Sequence, residues 1–429
     1  MQEFFAQDEN PSQIKWLFLD LNSYFASVEQ QENPALRGKP VAVVPMMTDG
    51  TCAIAASYEA KRYGIRTGTK IYDAKRMCPD LQLVLARHDK YVQYHEKILD
   101  EVLLHTPINK VWSIDEVSSK LPPNKCNREA ATALAQRIRE GIWKNIGVAI
   151  NCSIGFAPNG YLAKVATNMM KPNGLVFLEK DQLPGPLFDL SLRDFPGIGA
   201  NMEVNLRERG ITTTEQFWNL SPKQARKIWG SVEGEKFWYN LHGYEIPTAA
   251  ETNRTTIGHS RILEPELRAP AVAKLVARRL TVKAAARLRR YNLYSSCFEV
   301  SFRTVDQQGW GASMKITHSQ DNFAFLKALD ELWSALMTTY KPGLLKKVSI
   351  NMLGLSEQGK ITGDLFDFAS PARQTKQKNN DKLSSALDDL NKKFGQETVT
   401  IGISPQTQAG FVGTKIAFSR IPNVEEFYE

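Results

Sequence analysis

Hydrophobic and polar positions change period repeatedly along the chain, and each change marks an element. An apolar run, Lys15-Trp16-Leu17-Phe18-Leu19-Asp20-Leu21, predicts a buried strand that carries Asp20 near its end. Helical spacing follows from Ser23 to Glu29, then strands at Pro40–Val44 and Cys52–Ala56 around an Asp49-Gly50 turn. Tyr58–Tyr63 is helical in pattern and stops at Gly64, since glycine takes the left-handed backbone that ends a helix. Leu81–Ala86 predicts a strand, and Tyr91, Tyr94, Ile98 and Val102 repeat at helical spacing within 89–104. A strand at Lys110–Ile114 runs into Asp115-Glu116, followed by an amphipathic helix at Glu129–Ile146 and a strand at Val148–Phe156. Strands and helices alternating around two acidic strand ends predict an α+β catalytic domain in a multidomain chain.

Beyond residue 183 the pattern shifts. Phe195-Pro196-Gly197-Ile198-Gly199, with Leu206 and Gly210-Ile211, has the spacing of a helix-hairpin-helix, although a plain connection between helices uses the same residues. Short helical segments continue to Gly243, and the polar stretch from Pro247 to Thr255 reads as a linker. A strand (Thr255–Leu263), a helix (Ala271–Arg290), strands at Ser296–Arg303 and Gly309–Thr317, a helix (Phe323–Tyr340) and a strand (Lys347–Leu355) follow. That is the β-α-β-β-α-β order of a ferredoxin-like domain. After it, the polar Thr375–Asp381 segment predicts flexibility, Asp381–Phe394 a short helix and Thr398–Ile403 a short strand.

Composition narrows the classes. With 42% hydrophobic and 23% charged residues, the 429-residue chain is neither disordered nor fibrous. No stretch reaches the ~20 apolar residues of a membrane helix, and the acidic N-terminus is not a secretory signal. The five cysteines lie far apart without a CxxC pair, which argues against disulfides and cysteine-bound zinc and fits a cytoplasmic protein. A net charge of +8 suggests a polyanionic partner. The charge is most concentrated around the Ala271–Arg290 helix, where Arg268 to Arg290 holds eight Lys or Arg and no acid. Arg279, Lys283, Arg287 and Arg290 flank its apolar column, and like charges at this spacing repel unless an anion such as DNA phosphate is present.

Asp20 and the Asp115-Glu116 pair are the candidate chemistry. If their strands are neighbours, three carboxylates can hold two Mg²⁺ ions; if not, they are solvated turn residues. Side chains alternate across a strand, so Asp115 and Glu116 serve one site only if the backbone bends between them.

At this point the residues resemble a family. Asp20-Leu21-Asn22-Ser23-Tyr24-Phe25-Ala26-Ser27-Val28-Glu29 and Ser113-Ile114-Asp115-Glu116 resemble the two acidic signatures of Y-family, or translesion, DNA polymerases. The stretch from Asp49 to Lys61 resembles their fingers motif, and Leu162-Ala163-Lys164-Val165-Ala166 with Lys171-Pro172-Asn173-Gly174 resembles the end of their palm. The Asp-x-Asn opening is similar to the catalytic subunit of bacterial DNA polymerase V, and Tyr58 to DNA polymerase IV. After the acids, Val117-Ser118-Ser119-Lys120-Leu121-Pro122-Pro123 departs from the family's aromatic, acidic strand and predicts a remodelled loop.

The resemblance implies a palm at 1–29 and 88–182, fingers at 30–87, a thumb at 183–246, a linker at 247–254, a DNA-spanning little finger at 255–357 and a C-terminal tail at 358–429. It implies a low-fidelity, template-directed DNA polymerase without proofreading. Asp20, Asp115, Glu116 and the Leu21 carbonyl would bind two Mg²⁺. Tyr58, Lys171 and either Lys61 or Arg62 would hold the triphosphate. Phe25 would exclude a 2′-hydroxyl unless it is only a core aromatic, Tyr24 would lie beside it at the nucleotide, and Ile54 would roof the nascent base pair. Gly197 and Gly199 would approach DNA phosphate, because glycines and a helix N-terminus expose backbone N–H groups. The implied partners are primer-template DNA and dNTP, with a monomer expected and accessory subunits left open. Leu365 and Phe366 match the two apolar anchors of sliding-clamp-binding tails, or else pack onto the little finger. Two rivals are weighed. A non-catalytic DNA-binding homologue would have lost the acids, which are present. A nucleotide cyclase would carry a Gly-Gly-Asp/Glu-Glu-Phe turn, which is absent.

Overall fold

The Trp16–Leu21 strand is apolar on both faces, so it can only be central: Leu17, Phe18 and Leu19 are at most 1% exposed. In this computed structural model, which describes residues 14–246, 254–360, 371–395, 398–402 and 421–422, it is the middle of a five-stranded sheet. Its antiparallel neighbours are Glu116–Lys120 and Cys152–Ala157, and Lys110–Ser113 and Leu175–Phe177 form the edges. Leu17, Leu19 and Leu21 pack with the helices Tyr24–Glu32, His88–Leu103 and Arg128–Asn145. Phe18 points to the other face and packs with Leu162 and Ala166 of the Gly160–Met169 helix. Asp20 follows Phe18 at a spacing of two, so it shares the face that this helix covers.

The sheet corrects one expectation. Val117–Lys120 is not a remodelled loop but part of the strand beside the centre, with Ser118 and Ser119 1% and 0% exposed. Short side chains fit this packed position, and Ser118 Oγ accepts a hydrogen bond from Trp112 Nε1 at 2.9 Å.

A second, three-stranded sheet has Val41–Val44 in the middle, parallel to Gln82–Leu85 and antiparallel to Ala55–Ala56. The strand expected over Cys52–Ala56 therefore shortens to its last two residues, and Cys52 makes an isolated bridge to Lys70. Residues 185–241 are short helices around Phe217 and Phe237. Capping boxes at Thr213/Gln216 and Ser221/Gln224 start two of them, each satisfying backbone donors that a short helix otherwise leaves unpaired. The expected helix-hairpin-helix has a 3-10 turn, Leu192–Asp194, before the hairpin and the Ala200–Glu208 helix after it.

The described residues fall into two compact units divided between Thr248 and Ala249, with Ile421 packed against the first unit's core. The second unit follows the expected β-α-β-β-α-β order: Thr256–Ile262, Pro270–Arg290, Leu293–Thr304, Gly309–Ser319, Asn322–Tyr340 and Leu345–Glu357. All strand neighbours are antiparallel, with the second and fourth strands of the unit in the centre. Both helices cover one face through Leu280, Ala284, Leu288, Phe325, Leu329 and Trp333.

The polar 375–381 stretch corrects another expectation, because it belongs to a continuous helix, Pro371–Phe394. The helix docks by its C-terminal half: Ser384 is fully buried and accepts from Asn322 N, and Arg289 forks onto Asp388 at 2.6 and 2.8 Å. These contacts come from the two helices of the second unit, so sequence-local polarity could not report them. Residues 398–402 form bends rather than a strand, with Val399 N–H donating to Asn391 Oδ1 at 2.9 Å. Leu365 and Phe366 lie outside the described residues.

Candidate active site

The acids meet because of strand register. Asp20 stands directly opposite Glu116, which puts both side chains on one face of the sheet. Asp115 lies in the turn between Lys110–Ser113 and Glu116–Lys120, where the pairing register shifts. That turn is the backbone bend the chemistry required. Leu21 N–H donates to the Asp115 carbonyl at 2.8 Å, tying the two acidic strand ends together.

Two lysines neutralise the cluster. Lys171 Nζ lies 2.7 Å from Asp20 Oδ2, and Lys164 Nζ lies 2.7 Å from Glu116 Oε2. Ser113 Oγ donates to Asp115 Oδ1 at 2.6 Å. Asp20 is 6% exposed, and burial pushes its carboxyl up to about 6, with Lys171 opposing and the Asp115 and Glu116 charges adding. Burial also raises Asp115, opposed by Ser113 and reinforced by Glu116. Among the described residues no three His, Cys, Asp or Glu side chains form a ready metal cage. The donor set nevertheless fits a hard divalent cation. Its oxygens are carboxylates whose mutual repulsion is held off here by two ammonium groups, a task a bound cation would take over.

The Lys171 loop is built to one shape. Asn173 has φ 58°, the Lys171–Pro172 peptide is cis, and a Cβ on Gly174 would overlap the Met170 carbonyl oxygen. Arg139 donates to the carbonyls of Asn173 and Gly174 at 2.9 and 2.6 Å.

The short helix Tyr58–Lys61 contributes two more side chains. Lys61 Nζ sits 4.3 Å from the Tyr58 ring centroid. Burial lowers its pKa, with Lys171 and Arg66 adding to the fall and Asp20 opposing it, so Lys61 is within the field of Asp20 and Lys171. Tyr58 is pushed up to about 12 by burial and then by Asp20. Arg62, the alternative, is exposed. Ile54 and Phe25 are half-buried against the core. Tyr24 is 3% exposed with its hydroxyl donated to the Tyr91 carbonyl, so its side chain is committed to the core.

Elsewhere, Gly197 has φ 97° and Gly199 caps the Ala200–Glu208 helix, both with open space where a Cβ would stand. On the basic helix, Lys274 and Arg278 pair with Asp330, and Arg289 with Asp388, so tertiary neighbours supply anions that the run itself lacks. Arg279, Lys283 and Arg287 are half-buried and Arg290 is exposed. The sheet face turned away from the helices carries Gly311, Ser301, Ser349 and Ser260 in one cross-strand row, beside Arg303 and Lys347. The sequence pattern singles out neither this row nor Arg66, and it includes Lys164 in a motif without indicating its pairing with Glu116. The row could have been found from small residues alternating with apolar ones.

Comparison with known proteins agrees with this geometry. The impB/mucB/samB family matches residues 19–168, and its C-terminal domain matches residues 254–365. A DNA polymerase IV of Moorella thermoacetica is 29% identical over 396 residues, covering 90% of this chain and 95% of that protein. DNA polymerase IV 1 of Bacillus subtilis is 27% identical over 404 residues, covering 91% and 94%. A Y-family DNA polymerase chimera superposes with a TM-score of 0.69 at 22% identity, covering 80% of this chain and 99% of that one, which speaks for the fold. No helix among the described residues is long and apolar enough to cross a membrane. With both family domains matched in order and likeness to DNA polymerases IV along nine-tenths of its length, the chain belongs to the impB/mucB/samB family, the Y-family polymerases, and is a DNA-directed DNA polymerase.

Proposed function

We propose that this polymerase extends primers opposite damaged as well as intact template, at low fidelity and without proofreading, using two Mg²⁺ ions. The observation that carries this is the meeting of Asp20 and Glu116 on one sheet face with Asp115 in the adjoining turn, Lys171 at 2.7 Å from Asp20 and Lys61 within the field of Asp20. Asp20, Asp115, Glu116 and the Leu21 carbonyl would hold the ions, which when bound supply the charge that activates the primer hydroxyl and stabilises the leaving pyrophosphate. Lys171, Lys61 and Tyr58 hold the triphosphate, a stationary positive wall that costs no reorganisation as charge develops. Lys61 is favoured over Arg62 for this contact because it is half-buried toward the acids while Arg62 is exposed.

Phe25 lies under the sugar, and Ile54 roofs the base pair. A roof of one half-buried aliphatic side chain makes few shape-checking contacts, which suits a distorted template base. Gly197 and Gly199 leave room for a phosphate, and the small-residue row with Arg303 and Lys347 gives the little finger a flat basic face for DNA. The basic helix column at Arg279, Lys283, Arg287 and Arg290 adds long-range attraction. Leu365 and Phe366 serve as the clamp tether in this scheme.

The test is primer extension with Asp115→Ala combined with Glu116→Ala. Extension should be lost while primer-template binding stays close to wild type. Undiminished extension would overturn the catalytic assignment.

A further inference from the structure

Phe25 does not stand alone. Its ring lies flat on Tyr91, with centroids 4.2 Å apart and planes 12° from parallel. Tyr91 is fully buried and pinned at both ends. Its hydroxyl donates to Glu29 Oε1 at 2.8 Å and accepts from Arg87 N–H at 3.1 Å, while its backbone carbonyl takes the Tyr24 hydroxyl at 2.6 Å. Glu29 is 2% exposed, and its charge is met by a two-point fork from Arg87, Nε–Oε1 3.2 Å and Nη2–Oε2 2.6 Å. His88 meets both rings edge-on, at 6.0 and 5.8 Å.

We propose that Tyr91, locked by Glu29 and Arg87, is a positioning residue that sets the height of Phe25 and hence the discrimination between deoxy- and ribonucleotides. This rests on Phe25 acting as the sugar gate. One hydroxyl group is excluded by a clearance of less than an atomic diameter, so a ring that can sink admits it. A stacked ring is only as fixed as its support, and this support is a buried carboxylate with its hydrogen bonds made by two partners. The Glu29–Arg87 fork also joins the first helix to the segment between the fingers strand Gln82–Leu85 and the helix His88–Leu103, so displacement of that segment would reach the gate.

The experiment measures kcat/KM for a dNTP and its matching rNTP, and takes their ratio. Tyr91→Leu keeps apolar volume without a flat face and should lower the ratio about tenfold, whereas Tyr91→Phe keeps the stack but loses the bonds to Glu29 and Arg87 and should lower it less, about threefold. A merely structural residue would depress both nucleotides alike. In a Phe25→Ala background, Tyr91→Leu should have no further effect on the ratio, because it acts through Phe25. If Phe25→Ala lowers the ratio and Tyr91→Leu leaves it at the wild-type value, the positioning role is overturned and the gate stands. If Phe25→Ala leaves it unchanged, the gate itself falls and this inference with it. Should Tyr91→Leu fail to fold, Glu29→Gln replaces it: it keeps shape but weakens the hold on the Tyr91 hydroxyl and should lower the ratio about as far as Tyr91→Phe, and an unchanged ratio in both variants overturns the proposal.

Discussion

Asn22 links the acidic strand to the Lys171 loop, and its removal has a calculable cost. The side chain is 2% exposed. Its Oδ1 accepts from Asn173 N–H at 2.8 Å, and its Nδ2 donates to Ser153 Oγ at 3.0 Å. Ser153 Oγ also accepts from Gly174 N–H at 3.3 Å, so one amide and one hydroxyl bracket the loop from beneath. Asn22→Ala strands the Asn173 N–H, while Ser153 can still turn to the Met170 carbonyl at 3.4 Å. A stranded buried polar group costs about 1–3 kcal/mol, and because the Asn173 bond is only part-buried, its loss together with the partial loss at Ser153 comes to about 1–2 kcal/mol. The cost falls on the loop that presents Lys171. At about 1.4 kcal/mol per tenfold, a loss of half that amount in nucleotide binding raises the dNTP KM about threefold. Asn22→Asp keeps the acceptor for Asn173 and should raise KM less than Asn22→Ala. Single-nucleotide incorporation gives KM and kcat, and a thermal melt gives the stability change. A lowered Tm with unchanged KM in Asn22→Ala would refute the link between this bracket and Lys171.

The C-terminal helix and the buried histidines yield two more expectations. Asp388→Ala leaves Arg289, whose side chain is 7% exposed, with Gln320 and Asn322 as its remaining partners among the described residues, and should cost about 1–3 kcal/mol in urea unfolding. Faster proteolysis within 371–394 should accompany it, and wild-type stability would contradict the docking. His242 is stacked between Trp218 and Trp238 at 3.7 and 3.6 Å, and burial lowers its pKa and that of His95 below the usual 6.5. The unfolded chain then binds protons that the folded chain does not, so stability present at pH 7 is lost as pH falls below 6.5. His242→Phe keeps the stack and should lose less stability between pH 7.5 and pH 5.5; an equal loss would refute the assignment.

Local pattern in the sequence determines the elements and the chemical inventory. The apolar run at 16–21, the helical repeat of Tyr91, Tyr94, Ile98 and Val102, and the β-α-β-β-α-β order are all short-range signals, and each element forms where its period predicts. The acids, Phe25 and the Lys171-Pro172-Asn173-Gly174 loop are likewise visible as residues. What they touch is another matter. Placing Asp20 opposite Glu116 depends on strand register, which is set by which faces are buried once sheet and helices meet. The same packing sinks Ser118 and Ser119 into the strand beside the centre, where departure from the family's pattern predicts a remodelled loop, and makes 375–381 helical, where polarity predicts flexibility. It also pairs Lys164 with Glu116 and stacks Phe25 on Tyr91, contacts between residues far apart in the chain. Period is a property of neighbours in sequence, whereas register, ion pairing and stacking are settled only when burial brings distant segments together. The components of this site are therefore written locally, and their arrangement is tertiary.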